Sequence, residues 1–123
     1  MPLPTGFDNK VVDVDDVDEA TFNSILTAQN NAGYWATDIK IMDSTSAVIL
    51  FCKNYVTSHP GDGGSYPYVS RQAISQVSMN QAALDADKAT KAVNGYVPTG
   101  MFIDPTTPGS VYILYQQLGN SST

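Results

Sequence analysis

The chain has 123 residues, with six basic and twelve acidic side chains, a net charge of −6 and a hydrophobic share of 42%. This length and hydrophobic share are enough for one domain with a buried core, and they exclude wholesale disorder. Nucleic acids and anionic membranes both attract clusters of basic residues, and six scattered Lys and Arg side chains do not form such a cluster.

No targeting or membrane segment is recognisable in the sequence. The first five residues contain neither a basic region nor an apolar run, so they do not resemble a secretory signal. The longest apolar run, Ala47 to Cys52, is far shorter than a membrane span. Cys52 is the single cysteine and cannot form an internal disulfide. We expect a soluble protein, cytoplasmic or associated with a virion.

The first half of the chain predicts a strand, a helix and a hairpin. The predicted elements are an irregular arm (1–9), a strand (10–17), a helix (19–32) and two strands (35–42 and 47–55). Asp16 or Asp18 can cap the helix, and Gly33 fits the left-handed position that follows a helix end. The apolar side of the helix recurs at helical spacing: Phe22, Ile25, Leu26 and Gln29.

The second half predicts the same order of elements after a linker over 56–70, which is rich in Gly and Pro. The predicted elements are a strand (70–78), a helix (81–93), two strands (97–103 and 110–117) and a frayed end (118–123). Asn80 can cap the helix. The apolar side of this helix is expected to be Ala82, Ala86, Ala89 and Val93.

These halves predict a repeat. Gly33-Tyr34 recurs as Gly95-Tyr96, and Thr37 and Ile41 recur as Thr99 and Ile103 at the same sixty-two-residue offset. The last strands require one extra residue in the second turn, and the helices a one-residue slip the other way. The sequence therefore predicts a two-layer α+β protein of one domain. It would consist of tandem β-α-β-β units, about 10–55 and 71–117, related to the ferredoxin-like fold, with two helices on one face of an antiparallel sheet.

Both faces of the last strand in each unit are apolar. In the first unit Val48, Leu50 and Cys52 alternate with Ile49 and Phe51. A sheet with helices on one side and water on the other would alternate apolar with polar residues, so the face away from the helices is expected to be covered. Either the sheet of a second copy or the other half of the same chain can cover it. We favour a homodimer formed through this face.

Histidine, carboxylate and cysteine side chains give weak signals for chemistry. His59, the single histidine, could be half of an acid/base pair or a metal ligand, but its Gly- and Pro-rich surroundings favour a solvated linker residue. The acidic run from Asp13 to Glu19 lacks the central glycine of a calcium loop and reads as a solvated strand and helix start. Cys52 lies within a strand and reads as a structural thiol rather than a nucleophile. No phosphate-binding loop or G-x-S-x-G motif is present. We expect no catalytic residues, metal or cofactor.

The aromatic residues at the helix-to-strand junctions remain as candidates for a ligand site. Tyr34 and Tyr96 would occupy equivalent places in the two units, and together with Trp35 and His59 they could line a small pocket. Alternatively, each tyrosine covers the end of its own helix and extends its hydroxyl to water.

The run Asn30-Asn31-Ala32-Gly33-Tyr34-Trp35, followed after a strand and a turn by Ala47 to Lys53, resembles a group of small uncharacterised bacterial and phage domains. In that group a helix ends in Gly-Trp, and a hairpin closes on an apolar strand that ends in a basic residue. The resemblance covers about 10–54 and, more weakly, 72–117. Tyr34 stands where the group has Trp, and Gln116 stands where the second copy should be basic. The resemblance implies a β-α-β-β fold and carries no activity.

Two functional hypotheses follow. The leading one is a non-enzymatic structural or protein-interaction module of a microbe or phage. The alternative is a small-ligand-binding protein, or an enzyme of the dimeric ferredoxin-like type, with a pocket between helices and sheet. Whether the protein is an enzyme is left open, with the absence of catalytic motifs favouring the first hypothesis.

Overall fold

The computed structural model describes residues 9–53 and 67–120. The elements, in chain order, are β1 (Asn9–Val14), α1 (Glu19–Asn31), β2 (Tyr34–Asp43), β3 (Ser46–Lys53), β4 (Pro67–Ser78), α2 (Gln81–Ala92), β5 (Tyr96–Ile103) and β6 (Ser110–Asn120). The first four form unit 1 and the last four form unit 2. The predicted α+β class, with the β-α-β-β order occurring twice, is confirmed.

Each unit contributes a three-stranded antiparallel sheet in which its last strand is central. The order is β1-β3-β2 in the first sheet and β4-β6-β5 in the second. The second strand of each unit, which lies at an edge of its sheet, carries a bulge, at Thr37 in β2 and at Thr99 in β5. Each threonine hydroxyl lies 3.3 Å from a carbonyl of the central strand, that of Leu50 or of Leu114. The two hairpins therefore share a threonine at this bulge, while β2 carries a second register shift, between Ile41 and Asp43, that β5 lacks.

Both helices begin and end with the same local chemistry. Asp18 caps α1 by accepting a hydrogen bond from the Thr21 amide at 2.7 Å, and Asn80 caps α2 through the Ala83 amide at 2.8 Å. After the helices, Gly33 and Gly95 adopt φ values of 89° and 81°, which side chains rarely allow. Both predicted caps and both predicted glycine stops are confirmed, with Asp18 rather than Asp16 as the first cap.

Several sequence-based details were wrong. The linker was expected to extend to residue 70, but β4 begins at Pro67, where a proline without an N–H is tolerated because it is the first residue of the strand. The last strand continues past 117 to Asn120 because it pairs with the early part of β4. The helices follow the same sixty-two-residue offset as the glycines, without a slip. The central strands correspond at sixty-four, as Leu50 and Leu114 do, so the second turn holds two extra residues.

The predicted inward side of α2 was also wrong. The residues expected there are all exposed: Ala82, Ala86, Ala89 and Val93. Ala83 and Leu84 pack against the sheet instead, and Asp87 accepts a hydrogen bond from the buried Tyr115 hydroxyl at 2.7 Å. A carboxylate therefore belongs to the inward side, which a search for apolar spacing does not detect. The alanines serve the helix through their intrinsic propensity and do not need burial.

The main core joins the two units. Phe22 and Leu26 of α1 are fully buried between the inner face of the first sheet and one face of the second. Unit 2 contributes Ile74, Tyr112 and Leu114 to this core. The rings of Phe22 and Tyr112 meet edge to face at 5.2 Å. The other half of the same chain thus covers the face of the second sheet that lies away from α2.

Side-chain amides of α1 hold the free edge of β4. Asn23 accepts from the Ile74 amide at 2.8 Å and donates to the Ile74 carbonyl at 2.9 Å, as a neighbouring strand would. Asn30 accepts from the Gln72 amide at 2.8 Å. The Gln72 side chain in turn accepts from the Ala36 amide at 2.7 Å and donates to the Ala36 carbonyl at 2.8 Å. At Ala36 in β2 and at Gln72 and Ile74 in β4, edge backbone groups are thus satisfied by side chains rather than by another strand.

Candidate functional site

A groove runs between α2 and the second sheet, with a volume of about 400 Å³. We call it the α2 groove. Its apolar lining comes from the helix and from two strands: Leu84, Pro98, Met101, Ile113 and Tyr115. Its polar lining comes from the helix alone: Gln81, Asp85 and Lys88. The arrangement offers an apolar floor with one cation and one carboxylate beside it.

The residue at the base of the groove is buried and held by a hydrogen bond, while a residue at its side is exposed to solvent. Tyr115 is fully buried, and its hydroxyl is fixed by Asp87. Burial, reinforced by the Asp87 carboxylate, raises the pKa of Tyr115, so the phenol stays protonated at neutral pH and does not act as a base. Met101, by contrast, is 55% exposed. The groove can accept an apolar group, and its tyrosine serves as structure.

A second apolar surface lies on the first sheet, on the side away from α1. We call it the open face; its apolar strand residues are Val11, Val48, Leu50 and Cys52, and the strand register places Asn9, Asp13, Trp35, Asp38 and Lys40 on the same side. Val11 is 66% exposed and Leu50 is 37% exposed. Exposed aliphatic side chains on neighbouring strands form a contiguous patch, and such patches commonly mark interaction sites.

The sequence candidates for a ligand site fall in different places. Tyr34 packs against the main core, with the Lys10 ammonium 4.5 Å from its ring centroid. Tyr96 packs against the separate cluster beneath α2. Trp35 is half-buried, and its indole Nε1 is buried without a hydrogen-bond partner in the described part of the chain. None of these three lines the α2 groove. His59 lies outside the described residues.

Other candidate groups have structural surroundings. Asp18, from the acidic run, caps α1. Cys52 is half-buried, with its sulfur 3.8 Å from the Thr37 hydroxyl. Within residues 9–53 and 67–120, no three His, Cys, Asp or Glu side chains are grouped to hold a metal ion. No helix in the same ranges is long and apolar enough to cross a membrane.

Sequence reasoning missed the α2 groove, although a signal was present. Aligning the two helices by their caps puts Lys88 at the position of Leu26, and a lysine in place of a core leucine indicates a side chain left at a surface. Met101 likewise stands at the position of Ile39. Comparing the second unit with the first would have marked Lys88 and Met101 as exposed positions, although not the groove that they line.

Comparisons with known proteins add no assignment to these two surfaces: no family model, no curated protein and no solved structure matches the chain.

Proposed function

We propose that the protein is a non-enzymatic interaction module of bacterial or phage origin that binds another protein chain through the open face and the α2 groove. The observation that supports this proposal is the exposure of large apolar side chains on regular strands, Val11 and Leu50 on one surface and Met101 on the other. Burying such side chains against a partner yields about 25 cal/mol per Å² of apolar surface. The origin rests only on the sequence resemblance.

The test uses a photo-crosslinking amino acid placed at single positions in the protein inside cells. Probes at Leu50 and at Met101 are expected to give covalent protein adducts. A probe at Ala89, on the solvent side of α2, is the matched control and is expected to give none. If Leu50 and Met101 give no more adduct than Ala89, the proposal fails.

A small-ligand-binding protein is the second candidate, and the volume of the α2 groove favours it. About 400 Å³ lies within the range of small-molecule sites, roughly 300–1,000 Å³. Lys88 would suit an anionic group on an otherwise apolar ligand. Ligand-observed NMR with a set of aromatic and aliphatic carboxylates tests this candidate. Binding that disappears in Met101→Asp and weakens in Lys88→Gln supports it, and the absence of any hit opposes it.

A further inference from the structure

We infer that the partner of the α2 groove is the open face of a second copy of this chain, so that the protein associates with itself head to tail. This inference rests on the proposed function and names the partner of the same two surfaces. It follows from comparing what surrounds α1 with what surrounds α2.

Six residues that line the α2 groove have a counterpart in the main core, whereas Gln81 and Gly100 correspond to the exposed Glu19 and Asp38, and Asp85 to the half-buried Asn23. The helix caps align Leu84 with Phe22 and Lys88 with Leu26. The threonine bulges align Met101 with Ile39, which is 2% exposed. The groove in unit 2 thus corresponds to a site in unit 1 that is filled by other side chains.

Unit 2 itself fills the site in unit 1. The side chains that enter it belong to one face of the second sheet, Ile74, Tyr112 and Leu114. Strand register gives each of them a counterpart on the first sheet. Val11 lies opposite Leu50 as Ile74 lies opposite Leu114, and Val48 stands at the position of Tyr112.

These counterparts are members of the open face. The apolar strand pair through which unit 2 packs on α1 therefore has an exposed apolar counterpart in unit 1, and its receptor is present in unit 2 as an exposed groove. At the margin of the open face, Lys40 stands at the position of Phe102 and Asp13 at that of Gln76, so this margin is charged. Asn9 corresponds to Gln72, so an amide again stands beside the apolar residues. A second copy can repeat between chains the contact that already exists within the chain.

The contact between chains will be weaker than the contact within the chain. Asp85 replaces Asn23 and can accept but not donate a hydrogen bond. Ala92 replaces Asn30, and Pro98 replaces Ala36 and has no N–H to offer. With these polar contacts reduced, we expect association that is reversible and depends on concentration.

The geometry also distinguishes this contact from a two-fold dimer. In a two-fold dimer the same patch meets itself, so open face would contact open face. Here two different surfaces meet, so a pair of copies retains one unused groove at one end and one unused open face at the other. Such contacts produce rings if the rotation closes and extended chains if it does not.

Sedimentation velocity of the wild type and two variants tests the inference over about 1 µM to 1 mM, the range of weak protein association. Leu50→Asp damages the open face, and Met101→Asp damages the groove. The wild-type average mass should rise with concentration, while each variant alone should remain monomeric. An equimolar mixture should give a 1:1 dimer and nothing larger, because one intact groove then meets one intact open face.

Other outcomes overturn the inference. If the wild type sediments as a monomer at every concentration, the inference is wrong. A two-fold dimer through the open face predicts that Met101→Asp still dimerises and that mixing restores nothing. Val93→Asp is the matched control, because Val93 is an exposed apolar residue outside both surfaces, and it should associate as the wild type does. Circular dichroism of all variants confirms folding.

A gain of function provides the second measurement. The double variant Asp85→Asn, Lys88→Leu gives α2 the residue types that α1 has at the aligned positions. It should lower the concentration of half-association roughly tenfold, which is the effect of about one further hydrogen bond. An unchanged midpoint contradicts the inference. Crosslinks from Leu50 only to proteins other than this chain would overturn the inference while supporting the proposed function.

Discussion

Units 1 and 2 have the same elements, the same caps, the same glycine stops and the same threonine bulges, yet their helices have different surroundings. α1 has Phe22 and Leu26 fully buried, whereas α2 has no fully buried residue. The difference arises because unit 2 follows unit 1 and packs on it, while within the described residues nothing packs on unit 2 in the same way. Local structure is thus set within each unit, and the main core is completed by the contact between units.

A matched pair of leucine truncations should give the largest difference between the units. Leu26→Ala is expected to lower the free energy of unfolding by about 3 kcal/mol, since it leaves a cavity in the main core. Leu84→Ala should lower it by about 1 kcal/mol, because Leu84 is only partly buried and the surface can close over the missing atoms. Urea denaturation followed by circular dichroism at low protein concentration measures both. Equal losses would contradict the asymmetry.

The amides of α1 give the next largest effect. Asn23→Ala leaves the Ile74 amide and carbonyl without their partner, so we expect a loss of about 1–3 kcal/mol in unfolding free energy. Asp85→Ala, the matched change in α2, should alter stability by less than about 0.5 kcal/mol, because Asp85 is exposed. A comparable loss in both variants would show that Asn23 acts through its helix and not through the edge of β4.

The amides of α1 also mark the limit of what the sequence could predict. Helix caps, glycine stops and the order of strands depend on neighbouring residues, so Asp18, Asn80 and Gly33 revealed them. Asn30, by contrast, read only as part of a helix end, although it satisfies the backbone of Gln72 from forty-two residues away. The inward side of α2 was misjudged because Asp87 owes its position to Tyr115, a partner that periodicity does not include. The α2 groove required the same long-range information.

The two hairpin turns provide a comparison that depends on pH. Asp43 and Asp104 each accept from the amide of the threonine two residues on, at 2.9 Å. The bond from the Thr45 amide is the main cause of a lowered pKa at Asp43. At Asp104 burial acts to raise the pKa, but hydrogen bonds from Thr106 and Gln76 outweigh it and hold the pKa below its ordinary value.

A lowered pKa in the folded state means that the ionised carboxylate stabilises the fold. The stabilisation is complete above the unfolded pKa of about 3.9 and is lost as the pH falls through the lower folded value. We expect Asp104→Asn to lower the unfolding free energy at neutral pH by about 1–2 kcal/mol. The variant should also lose less stability than the wild type between about pH 5 and pH 2. Asp43→Asn, in the exposed turn, should follow the wild-type curve more closely; parallel curves for Asp104→Asn and the wild type would refute the assignment.

Substituting the glycine that follows each helix should destabilise the two units equally. Gly33→Ala and Gly95→Ala both place a β-carbon at positive φ, which for a residue other than glycine costs about 1 kcal/mol. Space does not add to this strain: an added β-carbon has nothing within 4 Å at Gly33, and only the Gln117 Cγ at 3.9 Å at Gly95. The two losses in unfolding free energy, measured by urea denaturation, should agree within about 0.5 kcal/mol, because they arise in the backbone and not in the different surroundings. Asn at either position should cost less than Ala, since asparagine tolerates the left-handed region better. If Gly33→Ala proved several times more harmful than Gly95→Ala, the contact between units would reach into the helix stops, and local structure would not be independent of packing.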